Sequence, residues 1–220
     1  MNLLAIDCVS SILSAAVSNG SEVFYSQLDG EMKQSEIIMN CIDDLMKEAS
    51  LKPAELNGVL CLEGPGSFTG LRIGYSVAKG LALSLSIPFA PIPTLDCIAF
   101  SLPENKIKLA VIESRKNAYY YAFYDGNKRL TEDAEADSLE LVNVINNFIT
   151  ENTEKIFLTG PGSDKLYEIL SQDLKQKVIL EYEKKGYAKE IIAIANLIKI
   201  FDSDCDEYLI SGPRYIRSAT

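Results

Sequence analysis

The chain has 220 residues, a length that suits one large domain or two small lobes. Apolar residues make up 47% and charged residues 24%, which is the usage of an ordinary globular protein and excludes disordered and fibrous classes. The 21 basic and 31 acidic side chains give a net charge of −10, so the chain is a poor non-specific binder of nucleic acid because its field repels phosphate.

The sequence contains no histidine. This excludes Ser-His-Asp and Cys-His nucleophile systems, H-E-x-x-H metalloproteases and every histidine-ligated metal site. Five scattered cysteines without C-x-x-C spacing predict reduced thiols in a cytoplasm rather than a disulfide scaffold or a zinc ribbon. No apolar run reaches the ~18–20 residues that cross a bilayer, and the start at Met1–Leu4 lacks the features of a signal peptide, so we expect no membrane contact.

Apolar periodicity and turn residues predict the elements of the first half in chain order. They are strands at 2–7, 12–18 and 22–28, a helix from about 33 to 50, a strand at 58–62, a helix at about 69–85, an extended segment at 88–93 and a short helix at 94–100. From about 104 the pattern restarts. It predicts strands at 106–113, 118–124 and 128–131, a helix at 138–150, a strand at 156–159, and helices at about 164–174 and 188–201.

A repeated strand–turn–helix unit organises the chain. Gly64-Pro65-Gly66-Ser67 and Gly160-Pro161-Gly162-Ser163 each follow an apolar strand and precede a helix. Each copy also follows three strands and a helix, so the order β-β-β-α-β-α occurs twice and predicts two related α/β lobes, 1–103 and 104–220. The alternative is that Gly-Pro-Gly-Ser is a common turn that recurs by chance.

The first glycine-rich loop is the richest candidate site. A glycine loop before a helix presents free backbone N–H groups and the positive end of the helix dipole, which suits phosphate. The candidate residues for a nucleotide, phosphate or interface loop are Gly64, Gly66, Ser67, Thr69, Gly70 and Arg72. The spacing fits neither a Walker A loop nor G-x-G-x-x-G. The alternative is a tight turn that lets the next helix pack closely.

Asp7 ends the first predicted strand, where two-lobed phosphotransferases of the actin and sugar-kinase type keep a metal-bridging carboxylate. Those enzymes have a glycine two residues later, whereas this chain has the β-branched Val9, which would crowd an approaching phosphate. We therefore interpret Asp7 as the residue of a degenerate phosphate site, with a structural role in capping a turn.

The first long helix has an apolar arc of roughly 180°, wider than a core-facing stripe needs. We expect its outer edge, Ile38, Ile42 and Leu45, to contact a partner, with Ile37 and Cys41 facing the core. Small residues of the next helix, Gly74 and Ala78, extend this expected interface because they permit close helix approach. The alternative is that the whole arc packs on the protein's own sheet and second helix.

The segment Gly64–Gly74 and the following Tyr75–Ala82 closely resemble the hallmark of the bacterial TsaB (YeaZ) proteins. Leu4–Asp7, Pro93-Thr94-Leu95 and the C-terminal Pro213–Arg217 also match that pattern. One departure is Gln34-Ser35, which stands where many relatives carry His-Ser.

The resemblance implies an α/β fold of two ribonuclease-H-like lobes, as in actin-like ATPases, each a mixed sheet flanked by helices. It implies no autonomous catalysis, no metal site and no cofactor of the chain's own, with ATP or ADP expected only at a complex interface. The implied partners are a TsaD-like catalytic subunit, a TsaE-like ATPase, a second copy of the chain, and tRNA through the complex alone. Together they would transfer a threonylcarbamoyl group to the adenosine beside the anticodon of ANN-decoding tRNAs. The alternative is a free-standing small-molecule kinase or ATPase of the same superfamily.

Overall fold

The structure, a computed structural model, describes residues 1–29, 33–151 and 155–216. The chain forms two compact units, one of Met1–Cys97 with Lys185–Arg214 and one of Ile98–Lys184 with the described residues from Tyr215. This division differs from the expected lobes of 1–103 and 104–220, because residues 185–214 return to the first unit. Of the helices described, none combines the length and the apolar character that a membrane crossing requires.

The elements up to the middle of the chain are β1 (Asn2–Asp7), β2 (Ile12–Asn19), β3 (Val23–Asp29), α1 (Gln34–Glu48), β4 (Gly58–Gly64), α2 (Phe68–Leu85), β5 (Phe89–Pro93) and α3 (Thr94–Phe100). The later elements are β6 (Ile107–Arg115), β7 (Ala118–Asp125), β8 (Lys128–Arg129), β9 (Ala134–Asp137), α4 (Ser138–Glu151), β10 (Ile156–Thr159), α5 (Ser163–Glu168), α6 (Gln172–Lys177), β11 (Val178–Leu180), α7 (Ala188–Leu197) and α8 (Asp206–Ile210).

The sheet of the first unit has the strand order β3-β2-β1-β4-β5. β1, β4 and β5 run parallel, while β2 and β3 are antiparallel to their neighbours. Helices α1 and α2 share a core with alternate residues of β1, β2 and β4, and α7 also packs on these strands. Because helices cover the sheet so completely, β1 is buried along its length after Asn2, which explains its continuous apolar sequence.

The sheet of the second unit has the order β11-β10-β6-β7-β8, with β9 also paired to β7. Strand by strand, this path repeats that of the first unit: β6 corresponds to β1, β7 to β2, β10 to β4 and β11 to β5. The predicted fold class of two related mixed α/β sheets flanked by helices is therefore confirmed.

Two predicted helices are shorter than expected. The helix at 164–174 is interrupted, because the Ser171 hydroxyl caps a new helix by accepting a hydrogen bond from the Leu174 N–H at 3.3 Å. The helix at 188–201 ends at Leu197, and the left-handed Lys199 (φ 50°) then leads into a 3-10 turn at Ile200–Asp202. Periodicity and turn residues do not predict β9, β11 or α8.

The prediction that the outer edge of α1 contacts a partner is wrong. Ile38, Ile42 and Leu45 are only 1%, 6% and 2% exposed, and they pack in the core of the first unit together with Cys41. Ile37 lies partly buried against the same core. The whole apolar arc packs on the protein's own sheet and on α2, so its width reflects two internal neighbours.

Gly74 and Ala78 are also buried inside the first unit, which corrects their assignment to a partner interface. Ala78 belongs to the same core as the α1 residues. A Cβ added at Gly74 would meet only the Cβ of Cys8, at an ordinary 3.9 Å. The small residues of α2 therefore let this helix lie close to its own sheet.

Candidate functional site

The first glycine-rich loop connects the end of β4 to α2. The Ser67 hydroxyl caps α2 by accepting a hydrogen bond from the Gly70 N–H at 3.2 Å, and the Ser67 N–H donates to the Val9 carbonyl oxygen at 3.0 Å. Gly64 has a φ of +118°, in the region that favours glycine. The loop is thus held against the residues that follow β1.

Two glycines, Gly66 and Gly70, are required by close contact with Val9 and Cys8. A Cβ at Gly66 would lie 2.7 Å from the Val9 Cβ, and a Cβ at Gly70 would overlap the Cys8 carbonyl oxygen. Val9 and Cys8 therefore pack directly against the loop. Thr69 and Arg72 are exposed on the first turns of α2.

Asp7 is fully buried and joins three parts of the first unit. Its carboxylate accepts hydrogen bonds from the Val9 N–H at 3.0 Å, the Tyr187 N–H at 2.8 Å and the Ser14 hydroxyl at 3.4 Å. The Ser14 oxygen in turn accepts from the Ala188 N–H at 3.2 Å. Asp7 and Ser14 thereby satisfy N–H groups at the start of α7 that no helical carbonyl can reach.

Burial raises the pKa of Asp7 from 3.8 to about 6, although the hydrogen bonds from Val9, Tyr187 and Ser14 act in the opposite direction. The negative charge of Glu190 adds to the increase. Burial likewise raises the pKa of the neighbouring Cys8 thiol, which keeps it protonated and unreactive. These groups therefore stabilise structure and offer no activated nucleophile.

Gln34, which departs from the His-Ser pair expected from the resemblance, is buried at the start of α1. Its amide donates a hydrogen bond to the Ser10 carbonyl oxygen at 2.8 Å. The side chain thus fastens the start of α1 to the β1–β2 turn. Its neighbour Ser35 is exposed.

The second glycine-rich loop repeats the packing of the first within the second unit. Gly160 (φ +106°) and Gly162 (φ +91°) lie against the end of β6, where a Cβ at Gly162 would be 2.9 Å from the Glu113 Cβ. The Glu113 N–H donates to the Pro161 carbonyl oxygen at 2.9 Å. In each unit the repeated turn therefore packs on the end of the first strand.

A shallow groove of about 380 Å³ lies between α1 and α2 on the surface of the first unit. It is lined by Ser35, Phe68, Thr69, Arg72, Ile73, Ser76 and Val77. Phe68 is 52% exposed, and the Arg72 guanidinium lies 3.7 Å from the centre of its ring. The glycine-rich loop pattern predicted Thr69 and Arg72 as site residues but not Phe68. Phe68 could be recognised in the sequence only as an apolar residue at the first position of α2.

A C-terminal segment contacts α2 and the first loop. The Lys79 ammonium donates to the carbonyl oxygens of Leu209, at 2.9 Å, and Ser211. The Arg214 N–H donates to the Glu63 carbonyl oxygen at 2.8 Å, beside Gly64. Arg217, which belongs to the C-terminal segment that matches the family pattern, lies outside the described residues. In the part of the chain that the structure describes, no group of three or more Cys, Asp or Glu side chains is placed to hold a metal ion.

The family model for TsaD, tRNA N6-adenosine threonylcarbamoyltransferase, matches residues 31–199 of the chain. The tRNA threonylcarbamoyladenosine biosynthesis protein TsaB of Buchnera aphidicola (subsp. Schizaphis graminum) is 31% identical over 183 residues, which are 81% of this chain and 87% of that protein. The TsaB protein of Haemophilus influenzae is 29% identical over 125 residues, covering 56% of this chain and 53% of the relative. The solved structure of YeaZ from Pseudomonas aeruginosa superimposes with a TM-score of 0.81 at 19% identity, over 98% of this chain and 99% of that one.

Proposed function

Because the chain belongs to the TsaB (YeaZ) family, we propose that it takes part in the biosynthesis of threonylcarbamoyladenosine in tRNA as a non-catalytic partner subunit. In this role it binds and activates a TsaD-like catalytic subunit in the cytoplasm. That subunit transfers the threonylcarbamoyl group to the adenosine beside the anticodon of ANN-decoding tRNAs. A TsaE-like ATPase completes the complex, and tRNA meets the chain only through it.

The filled space beside the first glycine-rich loop supports the non-catalytic role. Val9 and Cys8 pack directly against the loop, where they would crowd a phosphate, and Asp7 holds the start of α7. The chain also has no histidine to ligate a metal or to activate a nucleophile. We therefore propose that the chain binds no cofactor of its own and that any ATP or ADP lies at an interface of the complex.

The groove between α1 and α2 is the surface that we assign to the TsaD-like subunit. An aromatic ring that is 52% exposed costs free energy in water, and Phe68 lies there beside the guanidinium of Arg72. Aromatic residues and arginine are the types that contribute most binding energy at interfaces. The surface therefore lies on the two helices expected from the sequence, but on the side facing away from the core.

The same groove suits a homodimer. A twofold-symmetric dimer would bury one α1–α2 groove against another, and a TsaD-like subunit of related fold would replace one copy. Homodimer and heterodimer then compete, because both need Phe68 and Arg72.

The test is reconstitution with the TsaD-like protein of the same cell. We expect the two chains to co-purify, and tRNA modification to require both of them together with the TsaE-like ATPase. Threonylcarbamoyl transfer by this chain alone would contradict the non-catalytic role.

A pair of matched variants tests the assigned surface. Phe68→Glu places a charge in the groove, and Leu139→Glu places one on the exposed side of α4, where Leu139 is 75% exposed. Both variants should fold, because neither residue is buried. Only Phe68→Glu should weaken binding of the TsaD-like subunit, by at least tenfold. Equal binding by the two variants would contradict the assignment of the groove to this subunit.

The alternative of a free-standing kinase or ATPase makes a different prediction for the isolated chain. Such an enzyme would bind ATP at micromolar concentration and turn it over, which calorimetry and a phosphate-release assay would detect. No described contact favours it, since the loop that would hold the phosphates packs on Cys8 and Val9.

A further inference from the structure

A second pocket, of about 330 Å³, lies in the second unit at the amino ends of the parallel strands β6, β10 and β11. It is lined by Asn105, Lys106, Ile107, Lys155, Phe157 and Ile179. Its volume falls within the ~300–1,000 Å³ range of small-molecule sites. The pocket is separate from the glycine-rich loops, which lie at the carboxyl ends of β4 and β10.

The pocket has an apolar wall made by two neighbouring strands. Phe157 of β10 pairs with Ile179 of β11 in parallel register, so both side chains project from the same face of the sheet. Each is half-buried. The Lys106 ammonium lies 4.8 Å from the centre of the Phe157 ring, which places a cation directly over this wall.

The two charged residues that line the pocket are both basic. Lys106 and Lys155 each precede a strand, and neither ammonium forms an ion pair with a carboxylate of a described residue. None of the six lining residues is acidic. Two ammonium groups that have no carboxylate partner in the described part of the chain thus lie beside one apolar wall.

A third cation lies on the same face of the sheet, beside Phe157. Lys108 pairs in register with Phe157, is fully buried and donates to the carbonyl oxygens of Ala99 at 2.8 Å and Leu102 at 2.9 Å. The side-chain oxygen of Asn127 lies 3.3 Å from the same ammonium. These acceptors are neutral; the nearest negative charge in this network, Glu104, accepts only from the Asn127 amide, at 2.7 Å. The Lys108 ammonium therefore contacts no carboxylate of a described residue directly, although the charge of Glu104 acts on it.

We propose that this pocket binds a nucleoside phosphate, either free or within an unpaired stretch of RNA. The phosphate would draw the Lys106 ammonium off the Phe157 ring and lie between it and the Lys155 ammonium, and the base would take its place on Phe157 and Ile179. Ammonium groups bind phosphate as point charges, and an aromatic ring stacks with any base, so this combination recognises the class without selecting a sequence. The proposal does not rest on the proposed role as a partner subunit.

One phosphate held between two ammonium groups makes only a weak site, and it sets the salt dependence of binding. For single-stranded nucleic acid the logarithmic slope is about −0.7 per phosphate neutralised, so this site gives about −0.7. A fourfold increase in salt should then weaken binding of a short oligonucleotide by only about 2.6-fold.

The test titrates the full chain, labelled with nitrogen-15, with inorganic phosphate, AMP and single-stranded hexauridylate, and follows backbone amide shifts at Lys106, Phe157 and Ile179. The double variant Lys106→Gln/Lys155→Gln removes both ammonium groups. Its matched control, Lys52→Gln/Lys116→Gln, removes the same charge from two exposed sites outside the pocket. Both proteins should give the spectra of folded chains because the four side chains are not buried.

We expect AMP to shift the pocket amides, with affinity at least fivefold weaker in the pocket double variant and unchanged in the control. Phe157→Leu should weaken AMP at least threefold while leaving inorganic phosphate unaffected. Tighter binding of hexauridylate than of AMP would identify RNA as the source of the ligand, and the reverse would identify a free nucleotide. An equal loss in both double variants, or no shift at 10 mM AMP, would overturn the proposal.

Discussion

Replacing Asp7 by asparagine should change how the stability of the protein depends on pH. The folded protein raises the pKa of this carboxyl from 3.8 to about 6, chiefly by burial, so its ionisation is less favourable in the folded than in the unfolded chain. The stability that this group provides is complete below pH 3.8 and is lost as the pH rises through about 6. Asparagine cannot ionise, so the variant lacks this dependence.

The size of the effect follows from the shift. An increase of about two pKa units corresponds to ~3 kcal/mol of unfolding free energy once both states are ionised. About 2 kcal/mol of that falls between pH 4.5 and 7.5. The hydrogen bonds that the amide makes less well than the carboxylate, to the N–H groups of Val9 and Tyr187, add an offset that varies little with pH.

The assay is urea unfolding of wild type and Asp7→Asn at several values between pH 4.5 and 7.5. The other acidic residues are common to both proteins, so the difference between the two free energies isolates Asp7. This difference, wild type minus variant, should fall by about 2 kcal/mol as the pH rises. Ser14→Ala removes a hydroxyl that lowers the pKa of Asp7. In that variant the free energy of unfolding should therefore fall more steeply as the pH rises. A difference that stays constant within ~0.5 kcal/mol would refute the reasoning.

Four further outcomes can be measured. The isolated chain should neither modify tRNA, hydrolyse protein nor turn over ATP, and activity in a preparation free of the TsaD-like subunit would contradict this. It should bind whole tRNA more weakly than micromolar at physiological salt, because its net charge is −10; a sub-micromolar constant in filter binding would disprove it. Gly70→Ala should lower the free energy of unfolding by ~2 kcal/mol or more, because the added Cβ overlaps the Cys8 carbonyl oxygen. Gly80→Ala should raise it by ~0.5–1 kcal/mol, because an added Cβ there meets nothing within 4 Å. Denaturant unfolding measures both. Ile42→Asp should cost more than ~3 kcal/mol and lower the melting temperature sharply, since it buries a charge in the core; an unchanged melting temperature would restore Ile42 to the surface.

Local patterns in the sequence determined most of the elements and their order. Strands at 2–7 and 156–159 and the helix at 94–100 have the predicted bounds, because alternating or continuous apolar residues act within a few neighbouring positions. The repeated Gly-Pro-Gly-Ser turn indicated the duplication because a turn, too, is determined by a few neighbouring residues. A turn that must approach a strand end closely needs glycine at each copy, and both copies do pack in this way.

The interruption near Ser171 shows the limit of such patterns. Helical periodicity runs through this position, and only the cap from Ser171 to Leu174 restarts the backbone as a separate helix. The edge strand β11 has three residues and owes its conformation to pairing with β10, so its own sequence carried little signal.

The tertiary structure alone determined which neighbour covers each apolar surface. Periodicity gave the width of the apolar arc on α1, but not that the sheet and α2 would both cover it, so Ile38, Ile42 and Leu45 are internal. Asp7 meets its partner Tyr187 across 180 positions of sequence, and this contact helps return α7 to the first unit. A sequence pattern records which side chains avoid water, whereas the identity of the neighbour that shields them is fixed by long-range packing.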